Sequence, residues 1–361
     1  MKGISGLPLF PHRVCTTGVK PASAAHSCYK QFLLLRRKPL GNVVSVMPAL
    51  LDVKPRCSVI LPSYNRIVTL PRAVASVLAQ DMPDFELLVV DDSTDGTPDW
   101  LARQSDPRIR ILRSEHKLGV SAARNWGLAV ARADVTAFLD SDDAYNPNRL
   151  SVPLMTLAEQ PDVVCLLSSS VKHDWNRTRI ALQPDLKLLP SAFEWALMCA
   201  LINVECSSIT VRTEVARAAG GFCETLSLGE DNEFLTRVAK LGAARLLSDV
   251  LWHKFWADDG LSQDGRAAGS NLLRYALQQP KILNKYPKLG SYGATKLLVA
   301  DLRRWDIKTF FADLRQFRAA GLLRGNTLNL WRSHREVRKY RRQMRKPEAL
   351  ASLQGAPESW M

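Results

Sequence analysis

The chain has 361 residues, of which 46% are hydrophobic and 23% are charged, and this composition excludes a disordered or fibrous protein. Its formal net charge of +14 favours an anionic partner, such as nucleic acid, an acidic membrane surface or a phosphate-bearing substrate. The seven cysteines form no C-x-x-C pair, which argues against a zinc site or a disulfide framework and indicates a reducing, cytoplasmic compartment. No apolar run reaches the length of about 18 residues that a transmembrane helix needs.

The first part of the chain lacks the patterns of a folded domain. Residues 1–51 contain no Asp or Glu and show no hydrophobic periodicity. Their compact apolar run, residues 32–35, is too short for the core of a signal peptide, although the acid-poor composition loosely resembles that of an organelle transit peptide. We expect residues 1–54 to be a disordered leader or a mis-annotated one, the second because translation would start at Met47, and we assign them no function.

From residue 57 onward, strand-like and helix-like segments alternate. The predicted strands are residues 57–62, 85–90, 109–112 and 136–139, and the predicted helices are residues 70–78, 98–104 and 121–131. Pro71 supports the first of these helices because proline fits the first helical turn. The alternation predicts an α/β fold with a mostly parallel sheet flanked by helices.

Polar residues follow three of the predicted strands. Tyr64 and Asn65 come after the first strand, Asp91 and Asp92 end the second, and the sequence DSDD at residues 140–143 follows the fourth. Because the carboxyl ends of parallel strands meet at one edge of a sheet, and ligands bind beyond that edge, we expect these residues to share one site.

The carboxylates of Asp140 and Asp142 lie two residues apart, where a strand gives way to a loop. Both can turn toward one ion, and ligand sets made only of oxygen suit Mg²⁺ or Mn²⁺, which are commonly shared with substrate phosphates. The alternative is a solvated acidic loop in which Asn146 and Pro147 form a turn. The motif by itself leaves both interpretations open.

Four linked motifs resemble family-2 glycosyltransferases in order and spacing. They are SVILPSYNR at 58–66, ELLVVDDSTDGT at 86–97, GVSAARNWG at 119–127 and FLDSDD at 138–143. The similarity covers about residues 56–265. It implies a GT-A fold over residues 55–265, and an enzyme that transfers a sugar from a nucleotide-diphosphate donor, UDP-linked in our prediction, with inversion at the anomeric carbon.

The resemblance also implies roles for individual residues on the donor side. The residues expected to bind the base and nucleoside are Pro62, Tyr64, Asn65, Asp91 and Asp92. Asp140 is expected to bind the ribose and, with Asp142, the metal that neutralises charge on the departing diphosphate. Arg124 either contacts the pyrophosphate or packs against Asp134 or another neighbour. Ser93 follows Asp92 directly, where the family usually has a glycine first, so we expect a shorter loop.

The sequence GED at residues 229–231 resembles the acceptor-side motif of the family. An inverting transfer needs a base to take the proton of the acceptor hydroxyl, and we assign this role to Asp231, with Glu230 in reserve. Alternatively, both acids only favour a helix N-terminus. The Gln-x-x-Arg-Trp signature of processive members is absent from the sequence, which favours addition of a single hexose-type sugar over polymer synthesis.

The segment after this motif resembles the closing segment of the family only loosely. His253 either contacts phosphate or metal or is a structural histidine. Trp252 and Trp256 either stack on an acceptor sugar or pack in the core. For His253 the structural role is favoured, whereas the residue types favour neither role for the two tryptophans.

Residues 266–361 predict a mainly helical, basic C-terminal extension. Its cations concentrate in residues 332–346, where Glu336 is the single acid. A basic helix with apolar neighbours is typical of a membrane-surface element, which would suit an enzyme at the cytoplasmic membrane face that acts on lipid-linked acceptors. The alternative is a solvated charged helix. Nucleic acid is disfavoured because aromatic residues are not interleaved with the basic run.

The leading interpretation is therefore a metal-dependent, non-processive glycosyltransferase that adds a sugar to a glycan or glycolipid acceptor in the biosynthesis of a surface polysaccharide. The alternative is a catalytically silent protein of the same fold that binds a sugar nucleotide or a polyanion. The intact set of Asp140, Asp142 and Asp231 favours the enzyme, because a silent relative should have lost some of these carboxylates.

Overall fold

A computed structural model describes residues 54–174, 176–226, 229–256, 287–303, 305–323 and 327–356. The predicted leader, apart from Lys54, lies outside these residues, as does the start of the C-terminal extension at residues 266–286.

The structure is built from one ten-stranded sheet and eleven α-helices within the described residues. The strands are β1 Cys57–Ser63, β2 Phe85–Asp91, β3 Ile109–Arg113, β4 Val135–Phe138, β5 Ala144–Tyr145, β6 Val163–Asp174, β7 Arg177–Ala181, β8 Leu186–Leu188, β9 Ile209–Arg212 and β10 Ala243–Phe255. The helices are α1 Leu70–Leu78, α2 Thr97–Ala102, α3 Val120–Val130, α4 Ser151–Glu159, α5 Pro190–Met198, α6 Thr213–Ala218, α7 Glu230–Val238, α8 Pro287–Arg303, α9 Ile307–Ala319, α10 Thr327–Met344 and α11 Pro347–Ala351. None of the helices in the described part of the chain combines the length and apolarity needed to cross a bilayer.

The strand order is β3-β2-β1-β4-β9-β6-β10-β5, with β7 beside β6 and β8 beside β10. The α/β class with helices flanking a central sheet is confirmed, and β1 to β4 pair in parallel as expected. The second half is mixed, because β9 runs antiparallel to both β4 and β6. The chain between β6 and β7 is too short for a crossover helix, so that pair is antiparallel as well.

The central strands are buried on both faces, and successive residues serve opposite faces of the sheet. In β1, Ile60 packs with α3 and α5, whereas Val59 and Leu61 pack with α1 and α4. Because both sides of β1 must be apolar, its sequence reads as a continuous hydrophobic run and not as an alternating one. The two apolar layers hold the carboxyl ends of β1, β2 and β4 in register at one edge.

The last helices pack onto the sheet domain. Val337 of α10 and Leu350 of α11 are buried in the same apolar cluster as Trp195 of α5. The indole Nε1 of Trp195 donates to the hydroxyl of Tyr340 at 2.8 Å. The inner face of α10 is therefore part of the core, and only its outer face is available to a partner.

Glu86, at the start of β2, is a buried carboxylate that links three elements. Its oxygens accept from the hydroxyl of Ser58 at 2.7 Å, from the backbone N–H of Arg132 at 2.6 Å and from the guanidinium of Arg110. Burial opposes the charged form, but these hydrogen bonds outweigh it and lower the pKa of Glu86 below its ordinary value. The ionised carboxylate therefore stabilises the fold.

We expect Glu86→Gln to lower the free energy of unfolding by about 1–3 kcal/mol, because it leaves Arg110 without a carboxylate in a buried site. The deficit should shrink as the pH falls through the lowered pKa of Glu86, since the wild-type carboxylate then becomes protonated too. Urea denaturation across a pH series measures both effects. Asp134→Asn is the control, because its ion pair with Lys54 is exposed and should contribute less than about 1 kcal/mol.

Candidate active site

The predicted donor-side residues lie together at the carboxyl edge of the parallel strands. Tyr64 and Asn65 follow β1, Asp92 follows β2, and the loop at residues 140–143 follows β4. Strand β1 pairs directly with both β2 and β4, so the three loops are neighbours. The structure thus brings together residues that the sequence separates by as many as 79 positions, from Tyr64 to Asp143.

Arg124 joins the two halves of this site. It projects from α3 and is only 2% exposed. Its Nη2 donates to Oδ1 of Asp140 at 2.6 Å, and its Nη1 donates to Oε1 of Glu230 at 2.7 Å. Burial alone would lower the pKa of Arg124, but the surrounding acids raise it, so the guanidinium stays charged. Asp134, the other partner that the sequence allowed, pairs with Lys54 instead.

The carboxylates after β4 lie in different environments. Asp143 is buried, and its Oδ2 accepts from the hydroxyl of Ser207 at 2.7 Å. The same hydroxyl accepts from the backbone N–H of Asp140 at 3.1 Å, so Ser207 fixes both ends of the loop. Burial, followed by the charge of Asp140, raises the pKa of Asp142, and burial with the charge of Asp142 raises that of Asp143. Adding a cation near these groups would relieve their repulsion.

Asp231 is in the first turn of α7, directly after Glu230. Its Oδ1 accepts from the backbone N–H of Asn232 at 2.7 Å, and the side chain is partly exposed. Its carboxyl group lies among buried groups that limit its contact with water. This burial, followed by the negative charge of the adjacent Glu230, raises the pKa of Asp231 to about 7. A carboxylate with this pKa can accept a proton near neutral pH and hold it, which a solvated aspartate cannot do. The helix N-terminus alone would have stabilised its charged form.

The loops after β1 and β2 are tied to each other. The backbone N–H of Asn65 donates to the hydroxyl of Ser93 at 2.8 Å, and Oδ1 of Asn65 accepts from the backbone N–H of Thr94 at 2.7 Å. Asn65 has a positive φ of 52°, a conformation that asparagine tolerates better than most residues. Asn65 therefore shapes the loop beside Tyr64, whose ring is covered by the ammonium of Lys117 at 4.1 Å from the ring centroid.

Asp91 and Asp92, the two adjacent aspartates at the end of β2, make different contacts. Asp91 is fully buried, and its carboxylate accepts from Ser93 and, at 2.7 Å, from Nη1 of Arg113 on β3. Burial raises the pKa of Asp91, although both partners oppose the shift. Asp92 accepts from the backbone N–H of Leu118 through Oδ2 at 2.6 Å, which ties the loop to the start of α3. Asp91 thus braces the loop, while Asp92 lies closer to its surface.

A metal would need ligands from outside the protein. The described residues contain no group of three or more His, Cys, Asp or Glu side chains placed to hold an ion. Asp140 already accepts from Arg124 through Oδ1, which leaves Oδ2 and the carboxylate of Asp142 as oxygen donors. This donor set fits Mg²⁺ or Mn²⁺ that takes its remaining ligands from a diphosphate and water.

Two histidines, one on β6 and one on β10, lie side by side next to Asn146. Nε2 of His173 and Nδ1 of His253 are 2.8 Å apart, and Nε2 of His253 lies 2.8 Å from the amide oxygen of Asn146. Burial, followed by the charge of His173, lowers the pKa of His253, which disfavours the charged form of that imidazole. Trp252 is buried in the core, whereas Trp256 is exposed at the end of β10. Only Trp256 is therefore free to stack on an acceptor.

Three supporting residues escaped the sequence analysis: Ser207, Arg72 and Arg113. Ser207 lies in a short 3₁₀ turn, Cys206–Ser208, that carries no recognisable motif. The guanidinium of Arg72 donates to the backbone carbonyl of Asp142 and stacks on the ring of Phe255, a contact that depends on tertiary structure. Arg113 could have been found, because it is the polar residue that directly follows the predicted third strand.

Residues 58–217 match the family model described as glycosyl transferase family 2. Among curated relatives, the succinoglycan biosynthesis protein ExoO of Rhizobium meliloti is 40% identical over 104 residues, which are 28% of this chain and 30% of that protein. The UDP-Glc:alpha-D-GlcNAc-diphosphoundecaprenol beta-1,3-glucosyltransferase WfgD of Escherichia coli is 42% identical over 98 residues, or 27% of this chain and 39% of that protein. The matches thus span less than half the length of these relatives.

Solved structures share the architecture. TarS 1–349 of S. aureus, in complex with UDP, has a TM-score of 0.51 and 20% identity, covering 80% of this chain and 91% of that chain. The mannosyltransferase PcManGT of Pyrobaculum calidifontis, in complex with GDP-Man and Mn²⁺, has a TM-score of 0.50 and 19% identity, covering 91% and 94%. At these identities the similarity establishes the GT-A-like fold and no more.

The raised pKa of Asp231 predicts a pH-dependent stability difference. The folded protein favours the protonated carboxyl, so the stabilisation is complete below the ordinary pKa of about 4 and is lost as the pH rises through about 7. Relative to wild type, Asp231→Asn should gain roughly 1–4 kcal/mol of stability between pH 4 and pH 8. Thermal or urea unfolding of both proteins across this range measures the trend. A pH-independent difference would contradict the raised pKa.

Proposed function

We propose that this chain, which carries a glycosyl transferase family 2 domain over residues 58–217, transfers a sugar from a UDP-linked donor to a glycan or lipid-linked acceptor with inversion at the anomeric carbon. Its role would be single additions during the biosynthesis of a surface polysaccharide. The relatives named for succinoglycan biosynthesis and for glucosyl transfer to a diphosphoundecaprenol-linked sugar support this context. The UDP complex of TarS supports the donor class.

The observation that carries the proposal is the bridge through Arg124. It ties Asp140, on the donor side, to Glu230, the residue before the proposed base Asp231. Donor carboxylates and an acid with a pKa of about 7 then lie in one polar site, where an attacking hydroxyl and a leaving diphosphate can be held at once. The carboxylate of Glu230 is already paired with the guanidinium of Arg124, so Asp231 is the better candidate for the base.

In the proposed reaction, Asp231 takes the proton of the acceptor hydroxyl while that oxygen bonds to the anomeric carbon. The bond between this carbon and the diphosphate oxygen breaks from the opposite face, and the electron pair leaves with the nucleotide diphosphate. Because the pKa of Asp231 is near neutral, its carboxylate is basic enough to share the proton in the transition state. Arg124 would keep Asp140 and Glu230 in place during this step.

We assign a divalent cation, Mg²⁺ or Mn²⁺, to Asp140 and Asp142. The Mn²⁺ in the PcManGT complex supports this assignment by fold similarity. When bound, the ion would neutralise charge that grows on the departing diphosphate. Asp140 would also contact the ribose, and Asp143 would support the loop through its hydrogen bond with Ser207.

The donor base would lie between the loops after β1 and β2. Tyr64 offers an exposed aromatic ring, whereas Pro62 is buried near the end of β1 and would act only by supporting the loop. Asp92 can accept from a uracil N–H through the oxygen that Leu118 leaves open. Asn65 and Asp91 would act mainly by shaping these loops, through their bonds to Thr94, Ser93 and Arg113. The list of residues that we expect to affect donor binding is Pro62, Tyr64, Asn65, Asp91, Asp92, Arg124 and Asp140.

We also propose a peripheral position at the cytoplasmic membrane face. The outer face of α10 presents Arg338, Lys339 and Arg342 to solvent, and these cations suit an anionic surface. The inner face contacts the sheet domain through Tyr340, so truncation of α10 would damage the core along with the basic surface. Substitution of exposed cations is the sharper test of this partner.

We expect Asp142→Asn to reduce donor turnover by at least about 100-fold and to weaken UDP binding only when Mg²⁺ or Mn²⁺ is present, because it removes a metal ligand. Hydrolysis assays with UDP- and GDP-sugars, with and without metal, measure turnover. Calorimetry with UDP measures binding. Asp99→Asn, an exposed aspartate on α2, is the control. Wild-type turnover in Asp142→Asn would refute the metal assignment.

Asp231→Asn should leave the affinity for the donor near that of wild type and reduce transfer by about 10²–10⁴-fold, as expected when a general base is lost. In wild type, the rate should rise with pH through about 7, because Asp231 must be unprotonated to act. Single-turnover kinetics across the pH range, with exposed Asp249→Asn as the control, measure both effects. Equal losses of donor binding and transfer would argue that Asp231 belongs to the donor site instead.

A further inference from the structure

The tip of the α8–α9 helix pair exposes a group of large apolar side chains. We call this group the α8–α9 tip, and it consists of Val299, Leu302, Trp305, Ile307 and Phe311. Trp305 is 85% exposed and Phe311 is 58% exposed. Single exposed apolar residues are ordinary, but a contiguous group of them marks an interaction surface.

The helices have an inner apolar face of their own, so the tip is not a core that failed to close. Leu297 and Leu298 of α8 pack against Phe317 of α9 in a separate buried cluster. Val299 and Leu302, three residues apart, lie along the exposed side of α8, and Ile307 and Phe311, four residues apart, continue it on α9. Each helix thus has one apolar face for its neighbour and a second apolar stripe in solvent.

The backbone at the exposed Trp305 has an unfavourable conformation. Trp305 has a positive φ of 57°, which is strained for a bulky residue that is not glycine. The turn is fixed by a hydrogen bond from its N–H to the carbonyl of Leu302 at 3.2 Å, and by one from Asp306 N–H to the carbonyl of Asp301 at 3.1 Å. Trp305 thus takes the left-handed position that closes the end of α8, a position that glycine usually occupies.

The charges around the tip point to the chemistry of the partner. Lys308, Arg315 and Arg318 are exposed on α9, and Arg318 lies on the same side of the helix as Ile307 and Phe311. The net charge of the chain is +14. A stripe of Trp, Phe and Ile bordered by Lys and Arg is the pattern of elements that lie in the interface of an anionic bilayer.

We propose that the α8–α9 tip inserts into the interfacial layer of an anionic lipid bilayer, with Trp305 and Phe311 between the headgroups and Lys308, Arg315 and Arg318 against lipid phosphates. This rests on the proposed position of the protein at the membrane, and it adds an apolar anchor to the electrostatic attraction of α10. Such a combination makes stable anchoring possible, because neither signal alone binds firmly. The protein would then act on acceptors held at the same surface.

The test compares full-length variants by sedimentation with phosphatidylcholine vesicles that contain or lack phosphatidylglycerol. Trp305→Ser combined with Phe311→Ser removes the apolar anchor, and Ile180→Ser is the matched control because Ile180 is 61% exposed on β7, outside the tip. Arg338→Gln combined with Arg342→Gln reduces the charge of α10. Brominated lipids should quench wild-type fluorescence more than that of Trp305→Phe. Thermal unfolding and transfer to a soluble acceptor are measured in parallel.

We expect the tip variant to lose at least about tenfold in affinity for anionic vesicles, while Ile180→Ser binds as wild type does. The α10 variant should weaken binding mainly at low salt. Unchanged binding of the tip variant, or equal quenching in Trp305→Phe, would overturn the proposal. So would a wild-type dimer that the tip variant dissociates without vesicle binding, since a second copy would then cover the tip. Tip-dependent binding without any transfer in wild type would support the anchor and count against the proposed function alone.

Discussion

Arg124 lies inside the fold, and its guanidinium donates to Asp140 after β4 and to Glu230 at the start of α7. A buried cation is costly unless carboxylates surround it, so the three groups hold one another in position. If either acid were removed, the guanidinium would lose one of its two carboxylate partners in a poorly solvated place. The geometry of the candidate site therefore depends on this bridge more than on any single strand or helix.

The bridge also explains why neighbouring acids differ. Asp140 and Glu230 both pair with Arg124, whereas Asp142, Asp143 and Asp231 have a pKa that burial raises. A site crowded with carboxylates repels a diphosphate, so an anionic donor can approach only if a cation intervenes. Asp142 lies in the loop after β4, while Asp231 lies in the first turn of α7. The same crowding thus favours a metal at one end of the site and a base at the other.

The sequence predicted the parallel half of the sheet closely, because β1, β2 and β4 are continuous apolar runs that end in polar residues. It did not predict the antiparallel β9, because a four-residue segment, ITVR, after a 3₁₀ turn carries no directional signal. The same limit applies to the site. Asp140 and Asp231 stand in recognisable motifs, but the role of Ser207 depends on the fold that brings it within 2.7 Å of Asp143.

The C-terminal helices show how one element can serve the core and a surface together. Arg341 and Arg345 direct their N–H groups to the carbonyl of Ala200, which has a positive φ of 48°, and so fix the rotation of α10 about its axis. With that rotation fixed, Arg338 and Arg342 must face solvent. Arg341 and Arg345 therefore dock the helix, whereas Arg338 and Arg342 are exposed to solvent. In the sequence, these arginines form one uniform basic run. Helical spacing alone does not show which of them donate hydrogen bonds to a backbone carbonyl in the folded protein.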